Sequence, residues 1–284
     1  MKEVMDLTDF MDFGRFFGGI MRIGFIGAGN MAEAIIAGVL KSKAVKPSDI
    51  LISDVLKPRL AELAKKYGVV PAASNSEVIS NSEAIILAVK PKDAESIKDA
   101  LTVIKPSSFI VSIMAGITTS FFEKNGAMIP VVRVMPNTPA LVLSGMAGVC
   151  KGKFANMEHM EKTKIILSAV GKVVEVEEEL MDALTSISGS GPAYVFLFAE
   201  ALLEAAEKSG IDKATAKILV ANTLMGGAKM ILESGDEPAV LREKVTSPGG
   251  TTAAALAVFE SLKFKEIVGK AVDAARNRSK EMTK

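Results

Sequence analysis

Hydrophobic and polar positions along this chain fall into two regimes. Up to about residue 177, short apolar runs recur at 22–26, 50–54, 84–89, 109–114, 131–134, 146–150 and 172–176. Small, polar or proline residues follow each of them, and then, usually, a stretch with helical spacing. Runs that stay apolar without alternating are strands buried on both faces, so the pattern predicts a parallel sheet sandwiched between helices. After the first run, Ile35, Ile36, Val39 and Leu40 share one face of a helix opening at Asn30. A second helix over 57–67 stops at Gly68, a C′ glycine. Ligands of such sheets sit beyond the carboxyl ends of the strands. The loops 27–31, 54–57, 88–91, 114–116 and 135–138 are therefore expected to share one rim. Beyond residue 177 the strands stop, and 192–209, 212–233, 237–245, 252–261 and 264–282 all read as helices. Between 193 and 203 the only charge is Glu200. A helix apolar nearly all round must be covered on every side. About a hundred helical residues cannot cover it alone, so an obligate dimer through the helical half is expected.

The first strand runs into Gly27-Ala28-Gly29-Asn30-Met31-Ala32, a G-x-G-x-x-A placed between strand and helix. Gly27 permits the tight turn, Gly29 lets backbone approach a pyrophosphate, and Ala32 lets the helix lie close to the strand. Unpaired N–H groups at the helix start then face the phosphates. A glycine-rich turn without ligand is the bland alternative; the strand–turn–helix context favours dinucleotide binding. This makes the fold class α/β: a Rossmann-type sheet with helices on both faces, then an all-helical domain. Residues 21–180 are the expected nucleotide-binding domain and 181–284 the expected substrate-binding and dimerisation domain. Residues 1–20 mix acids, aromatics and glycines without the basic start and apolar centre of a signal peptide. They read as a poorly ordered extension, with an aromatic clasp on a partner subunit as the alternative.

Asp54 lies at the end of the second strand, about 20 residues past the glycine turn, where an acid can bind the adenosine ribose. Such an acid favours NAD. Ser53, Lys57 and Arg59 stand close by and are equally able to hold a 2′-phosphate. Asp54 can also cap the helix over 57–67.

The remaining bulk properties narrow the choice. The chain has 284 residues, nearly half of them hydrophobic, enough for one large or two ordinary domains. A formal charge of +1 gives no broad attraction for nucleic acid or a membrane surface. No apolar run reaches a membrane span. The single cysteine, Cys150, forbids an internal disulfide and suits a reducing cytoplasm. The single histidine, His159, rules out a His-rich metal site and sits in a polar helical segment, where it reads as a surface residue.

A second constellation is Lys244-Val245-Thr246-Ser247-Pro248-Gly249-Gly250-Thr251-Thr252, between two helices. Its glycines permit a backbone nest, and the next N–H groups belong to a helix start. Hydroxyls of Ser247, Thr251 and Thr252 add donors, which suits a small carboxylate. From the residues alone, a Ser/Thr-capped helix start after a Pro-Gly turn is the simpler reading.

The chain as a whole resembles the pyrroline-5-carboxylate reductase family. The matching segments are FIGAGNMAEAI, LAVKP, SIMAGI, VRVMPNTPALV, SGSGPAYVFLFAEAL and VTSPGGTTAAAL, in the family's order and spread over residues 21 to 284. The resemblance implies hydride transfer from NADPH or NADH to the C=N carbon of a five-membered cyclic imine, giving L-proline, with no metal. It places the substrate carboxylate on Ser247, Gly250, Thr251 and Thr252, with Thr252 at the imine nitrogen. For the cofactor it implies Ile26, Gly27, Ala28, Gly29, Asn30 and Met31, then Asp54 and Asn75. Ala88, Val89, Lys90 and Pro91 follow, and finally Met114, Ala115 and Gly116. It also implies a homodimer, built in the family into rings of dimers. An iminium is already a good hydride acceptor, so the protein's task is alignment. The pKa of Thr252 is too high for an effective acid, so orientation of the nitrogen is expected, with water as the proton source. Lys90 is the one obvious cation on the rim; before Pro91 it is read as shaping the loop rather than catalysing.

Two rival readings fit the residues less well. A β-hydroxyacid dehydrogenase shares Gly189-Ser190-Gly191 but needs a lysine soon after, where this chain has Pro192-Ala193-Tyr194-Val195-Phe196. A non-catalytic NAD(P)H sensor has no use for the second small-molecule loop. Both loops are expected to serve one cleft.

Overall fold

The computed structural model describes residues 21–43, 45–123 and 128–283. The expectation for residues 1–20 lies outside them.

Eight strands among the described residues form one sheet: β1 (Ile23–Ile26), β2 (Ile50–Ser53), β3 (Val70–Pro71), β4 (Ala84–Leu87), β5 (Phe109–Ser112), β6 (Val131–Met135), β7 (Gly145–Lys151) and β8 (Gly171–Glu175). Their order is β3-β2-β1-β4-β5-β6-β7-β8. The first six strands give the Rossmann order, and the chain reverses direction across the sheet between β1 and β4, the usual ligand crevice. Adjacent residues feed opposite cores. Ile23, Phe25, Ile50, Ile52, Ile86 and Val111 pack on one face, while Ile26, Leu51, Ile85, Leu87 and Ile110 pack on the other. That is why these runs show no polar alternation.

Three features depart from the sequence reading. The sheet is not wholly parallel, because β6 and β7 pair antiparallel, with Arg133 opposite Cys150. Only a short 3-10 turn, Thr138–Val142, joins them, and a parallel crossover needs a dozen or more residues. The edge strand Val70–Pro71 is two residues long and leaves no periodic signal. The connection from β4 to β5 is a 3-10 stretch, Pro91–Val103, rather than an α-helix.

The described residues divide into two compact units, one made of those up to 190 together with those from 275 onward, and one of residues 191–274. The second unit is helical: α-helices span Gly191–Lys208, Lys213–Glu233, Pro238–Lys244 and Thr251–Ser261, and another begins at Phe264. Asp212 caps the second of these, its carboxylate accepting from the Ala214 and Thr215 N–H groups. The expectation that one chain leaves 193–203 uncovered holds among the described residues. No residue of Gly191–Lys208 is buried, and Phe196 and Leu197 are 60% and 67% exposed. The apolar pattern is real, but its cover does not come from the described residues of this chain.

Candidate active site

The rim of the first unit is built from the carboxyl ends of β1, β2, β4 and β5. Gly27 sits at φ +98°, where a Cβ would meet the Ala88 carbonyl oxygen at 2.6 Å. Its N–H donates to the Ser53 carbonyl at 2.8 Å, and the Ala88 N–H donates to the Ile26 carbonyl at 2.8 Å. The turn is thereby locked to both neighbouring strands. Gly29 is the N-cap of the helix Asn30–Lys41 and provides no side-chain cap. A Cβ on Gly29 would meet nothing within 4 Å. The first amides of this helix therefore open onto free space, the arrangement that receives a phosphate.

Asp54 is fixed over the turn. Its carboxylate accepts from the Ala28 N–H at 2.7 Å and the Leu56 N–H at 2.8 Å. It does not cap the next helix in the expected way: Leu56 is the N-cap of Lys57–Tyr67, with no side-chain bond. Below the turn, Arg59 donates from Nε to the Ala28 carbonyl at 2.9 Å. Its other nitrogens reach Glu33 and, at 2.9 Å, Glu62. Glu33 also accepts from Lys66 Nζ at 2.8 Å and from the Tyr67 hydroxyl at 2.9 Å. Chiefly the Lys66 ammonium, with Arg59 and Tyr67, holds the Glu33 carboxyl down at about 2 against the opposing effect of burial. Nothing in the local sequence pattern revealed this hub, whose partners lie 26 to 34 residues apart.

The other residues expected on the rim lie in the same row of loops. Ile26 ends β1, Asn30 begins the helix and Met31 is its second residue. Asn75 opens the helix Asn75–Asn81 and accepts from the Ser53 hydroxyl at 2.8 Å. Ala88 and Val89 are half-buried, and Lys90 is exposed, in extended backbone before Pro91. Met114 is buried, Ala115 is half-buried, and Gly116 turns at φ +71°, with the Met282 carbonyl 2.8 Å from where a Cβ would stand. The Asn137 side chain ties the neighbouring loop down. It donates to the Ser188 carbonyl at 3.2 Å and accepts from the Met146 N–H at 2.8 Å. Ser188 lies in a π-helical turn, Thr185–Gly189, a rare geometry that recurs at functional sites. Sequence reading missed the Asn137–Ser188 link; both residues lie in matched segments, but 51 positions separate them.

In the second unit, the loop 246–252 is a tight turn closed by the Gly250 N–H on the Ser247 carbonyl at 3.0 Å. Gly249 takes φ +68°, and a Cβ on Gly250 would meet the Ser247 hydroxyl at 2.4 Å. Gly250 is the N-cap of Thr251–Ser261 and offers no side-chain bond, so the helix-start amides remain for a ligand. Ser247 and Thr251 are exposed and Thr252 is half-buried. The turn thus collects Ser247, Gly250, Thr251 and Thr252, and the Ser/Thr-capped alternative does not occur.

His159 is half-buried rather than a surface residue. It completes a capping box, its Nδ1 accepting from the Asn156 N–H at 3.1 Å. Burial lowers its pKa. The Cys150 thiol is buried, and desolvation pushes it up to about 12. No group of His, Cys, Asp and Glu among the described residues is arranged to hold a metal ion. No helix among them is long and apolar enough to cross a membrane.

A phosphate-ready glycine turn, an acid above it and a crevice at the strand reversal define a nicotinamide-nucleotide-dependent oxidoreductase of Rossmann type. Comparison with known proteins carries this further. Residues 178–282 match the family model described as pyrroline-5-carboxylate reductase dimerisation, and residues 22–116 match the one described as NADP oxidoreductase, coenzyme F420-dependent. The pyrroline-5-carboxylate reductase 1 of Bacillus spizizenii is 39% identical over 265 residues, covering 92% of this chain and 89% of that protein. The structure of a pyrroline-5-carboxylate reductase from Coxiella burnetii superposes with a TM-score of 0.85 at 38% identity, over 94% of this chain and 100% of that one. A pyrroline carboxylate reductase from Plasmodium falciparum, solved with NADP bound, gives 0.85 at 33% identity, with the same coverage. The chain belongs to the pyrroline-5-carboxylate reductase family. The dimerisation match supports a homo-oligomer, and the uncovered apolar side chains of Gly191–Lys208 accord with it.

Proposed function

We propose that this chain reduces L-1-pyrroline-5-carboxylate to L-proline with NAD(P)H, the last step of proline synthesis. Beyond family membership, the observation that carries the reading is the 246–252 turn, whose Gly250 has room for no side chain beside the Ser247 hydroxyl. Such a turn, leading into uncapped helix amides, suits a small carboxylate without any arginine.

In this reading the nucleotide-binding region is 21–180 and the substrate-binding and dimerisation region 181–284. Gly27 to Met31 receive the pyrophosphate, Asp54 and Asn75 the adenosine side, and residues 88–91 and 114–116 the nicotinamide side. When bound, the cofactor supplies a hydride to the C=N carbon. Ser247, Gly250 and Thr251 hold the carboxylate and so fix which face of the ring is presented. Thr252 hydrogen-bonds the ring nitrogen, which gains its proton from water as the C=N bond becomes C–N. Holding the two reacting carbons together provides most of the rate, which is proximity catalysis. Lys90 shapes the loop before Pro91. The single thiol accords with a reducing compartment, and we assign the chain to the cytoplasm. Assembly of dimers into a ring follows the family pattern, and sedimentation velocity will report it.

The test is a spectrophotometric assay with pyrroline-5-carboxylate and each of NADH and NADPH. Loss of absorbance at the reduced-nicotinamide band is expected; none with either cofactor ends the reading. Thr252→Val, nearly isosteric, is expected to lower kcat by roughly 10- to 100-fold, the cost of one oriented hydrogen bond in the transition state. Unchanged kcat removes the role assigned to that hydroxyl.

A further inference from the structure

Among the described residues, every side chain near Asp54 that could neutralise a 2′-phosphate is already engaged or withheld, with one exception. All three guanidinium nitrogens of Arg59 are committed: Nε to the Ala28 carbonyl, one terminal nitrogen to Glu33 and the other to Glu62. Ser53 is buried, and its hydroxyl donates to Asn75. The helix start at 57 is a poor anion site despite its length. The Leu56 N–H is given to Asp54, Pro58 has none, and the Arg59 N–H is spent on the Leu56 carbonyl. The two residues directly after Asp54 are Val55 and Leu56, 93% and 63% exposed. They present hydrocarbon where a phosphate would need donors. The exposed Lys57 is the remaining cation near Asp54 among the described residues, and it faces the competition of a fixed carboxylate.

That carboxylate still has acceptor capacity. Two of its roughly four lone-pair positions take the Ala28 and Leu56 amides, which leaves room for ribose hydroxyls as donors. A hydroxyl pair satisfies it; a 2′-phosphate, carrying one to two negative charges, repels it.

We propose that this rim discriminates against the 2′-phosphate, so that the chain takes NADH in preference to NADPH. The inference rests on the rim being the nucleotide site, and the test separates the two. Isothermal titration calorimetry on the wild-type protein compares ADP-ribose with its 2′-phosphorylated form, which requires no turnover and no imine substrate. ADP-ribose is expected to bind at least about tenfold tighter, a difference of about 1.4 kcal/mol. The gap is expected to narrow with added salt as the repulsion is screened. Asp54→Asn keeps an acceptor but removes the charge, and should reduce the gap to within about threefold, mainly by tightening the phosphorylated ligand. Glu33→Gln, which loosens Arg59, should act in the same direction. Equal or tighter binding of the phosphorylated ligand by the wild type overturns the proposal and leaves the nucleotide site standing. Binding of neither ligand overturns both. Clear discrimination with no imine reduction supports the proposal and removes only the reductase reading.

Discussion

Gly27 and Gly29 stand two residues apart in one turn, yet the structure gives them separable roles. Replacing Gly27 by Ala forces an L-residue to φ +98° and drives its Cβ to 2.6 Å from the Ala88 carbonyl oxygen and 2.9 Å from the Val89 nitrogen. Neither atom can give way, because the Ala88 amide is held in the sheet by the Ile26 carbonyl. The backbone strain costs about 1–3 kcal/mol, and overpacking against rigid backbone costs about as much again. A loss of about 2–6 kcal/mol corresponds to a Tm lower by roughly 5–20 °C in a chain of this size. Replacing Gly29 by Ala has no such effect. Its φ is −71° and the space around it is open. Stability should change by no more than about 1 kcal/mol, the difference between Gly and Ala at an N-cap. The added methyl nevertheless stands where a pyrophosphate would approach, so nucleotide affinity should fall about tenfold or more. The assay is paired: scanning calorimetry for stability, and quenching or transfer of reduced-nicotinamide fluorescence for binding. If Gly29→Ala binds nucleotide as the wild type does, the turn does not face a phosphate. If Gly27→Ala keeps the wild-type Tm, the steric argument is wrong.

Two further outcomes follow from features of the first unit. Arg133 is buried in β6 and pairs with Glu178 at 3.1 Å, while Glu178 also accepts from the Thr119 N–H at 2.9 Å and hydroxyl at 2.8 Å. Glu178→Ala strands the guanidinium and should cost about 2–4 kcal/mol, less than a fully buried pair because Glu178 is partly exposed; a calorimetric shift under about 1 °C contradicts this. His159 must be neutral to accept from Asn156, and burial holds its pKa below the unfolded value of 6.5. A depressed histidine adds stability that is complete above that value and is lost as pH falls below it, by at most about 1.4 kcal/mol per pH unit. Urea denaturation at pH 7 and pH 5 should therefore show a smaller drop for His159→Gln, whose amide can still complete the capping box; equal drops refute the coupling.

Most of the sheet was legible because burial on both faces writes itself as uninterrupted apolar runs, as in 84–87 and 109–112. Direction is not written there. The run 146–150 looks the same whichever way the strand points, and the short 138–142 turn decided it. The glycine turn was legible because it needs particular small residues at fixed spacing; the 246–252 loop was singled out only by its resemblance to a family segment, since its residues alone read as a capped helix start. The Glu33–Arg59–Lys66–Tyr67 hub was not, since ion pairs joined by tertiary structure leave no local period. The helix Gly191–Lys208 was legible as a surface needing cover, but a single chain cannot say which surface covers it; the dimerisation match supports a second copy of the chain.

Ala28 is gripped at both ends of its backbone, its amide by the Asp54 carboxylate and its carbonyl by the Arg59 guanidinium. Opposite charges thus hold the turn in place from within the protein itself. Capture then asks for little extra ordering, and a socket already cast in this way saves its affinity from entropic loss. A change of ligand would have to come from exchanging the ionic neighbours, because the loop itself has no slack to give.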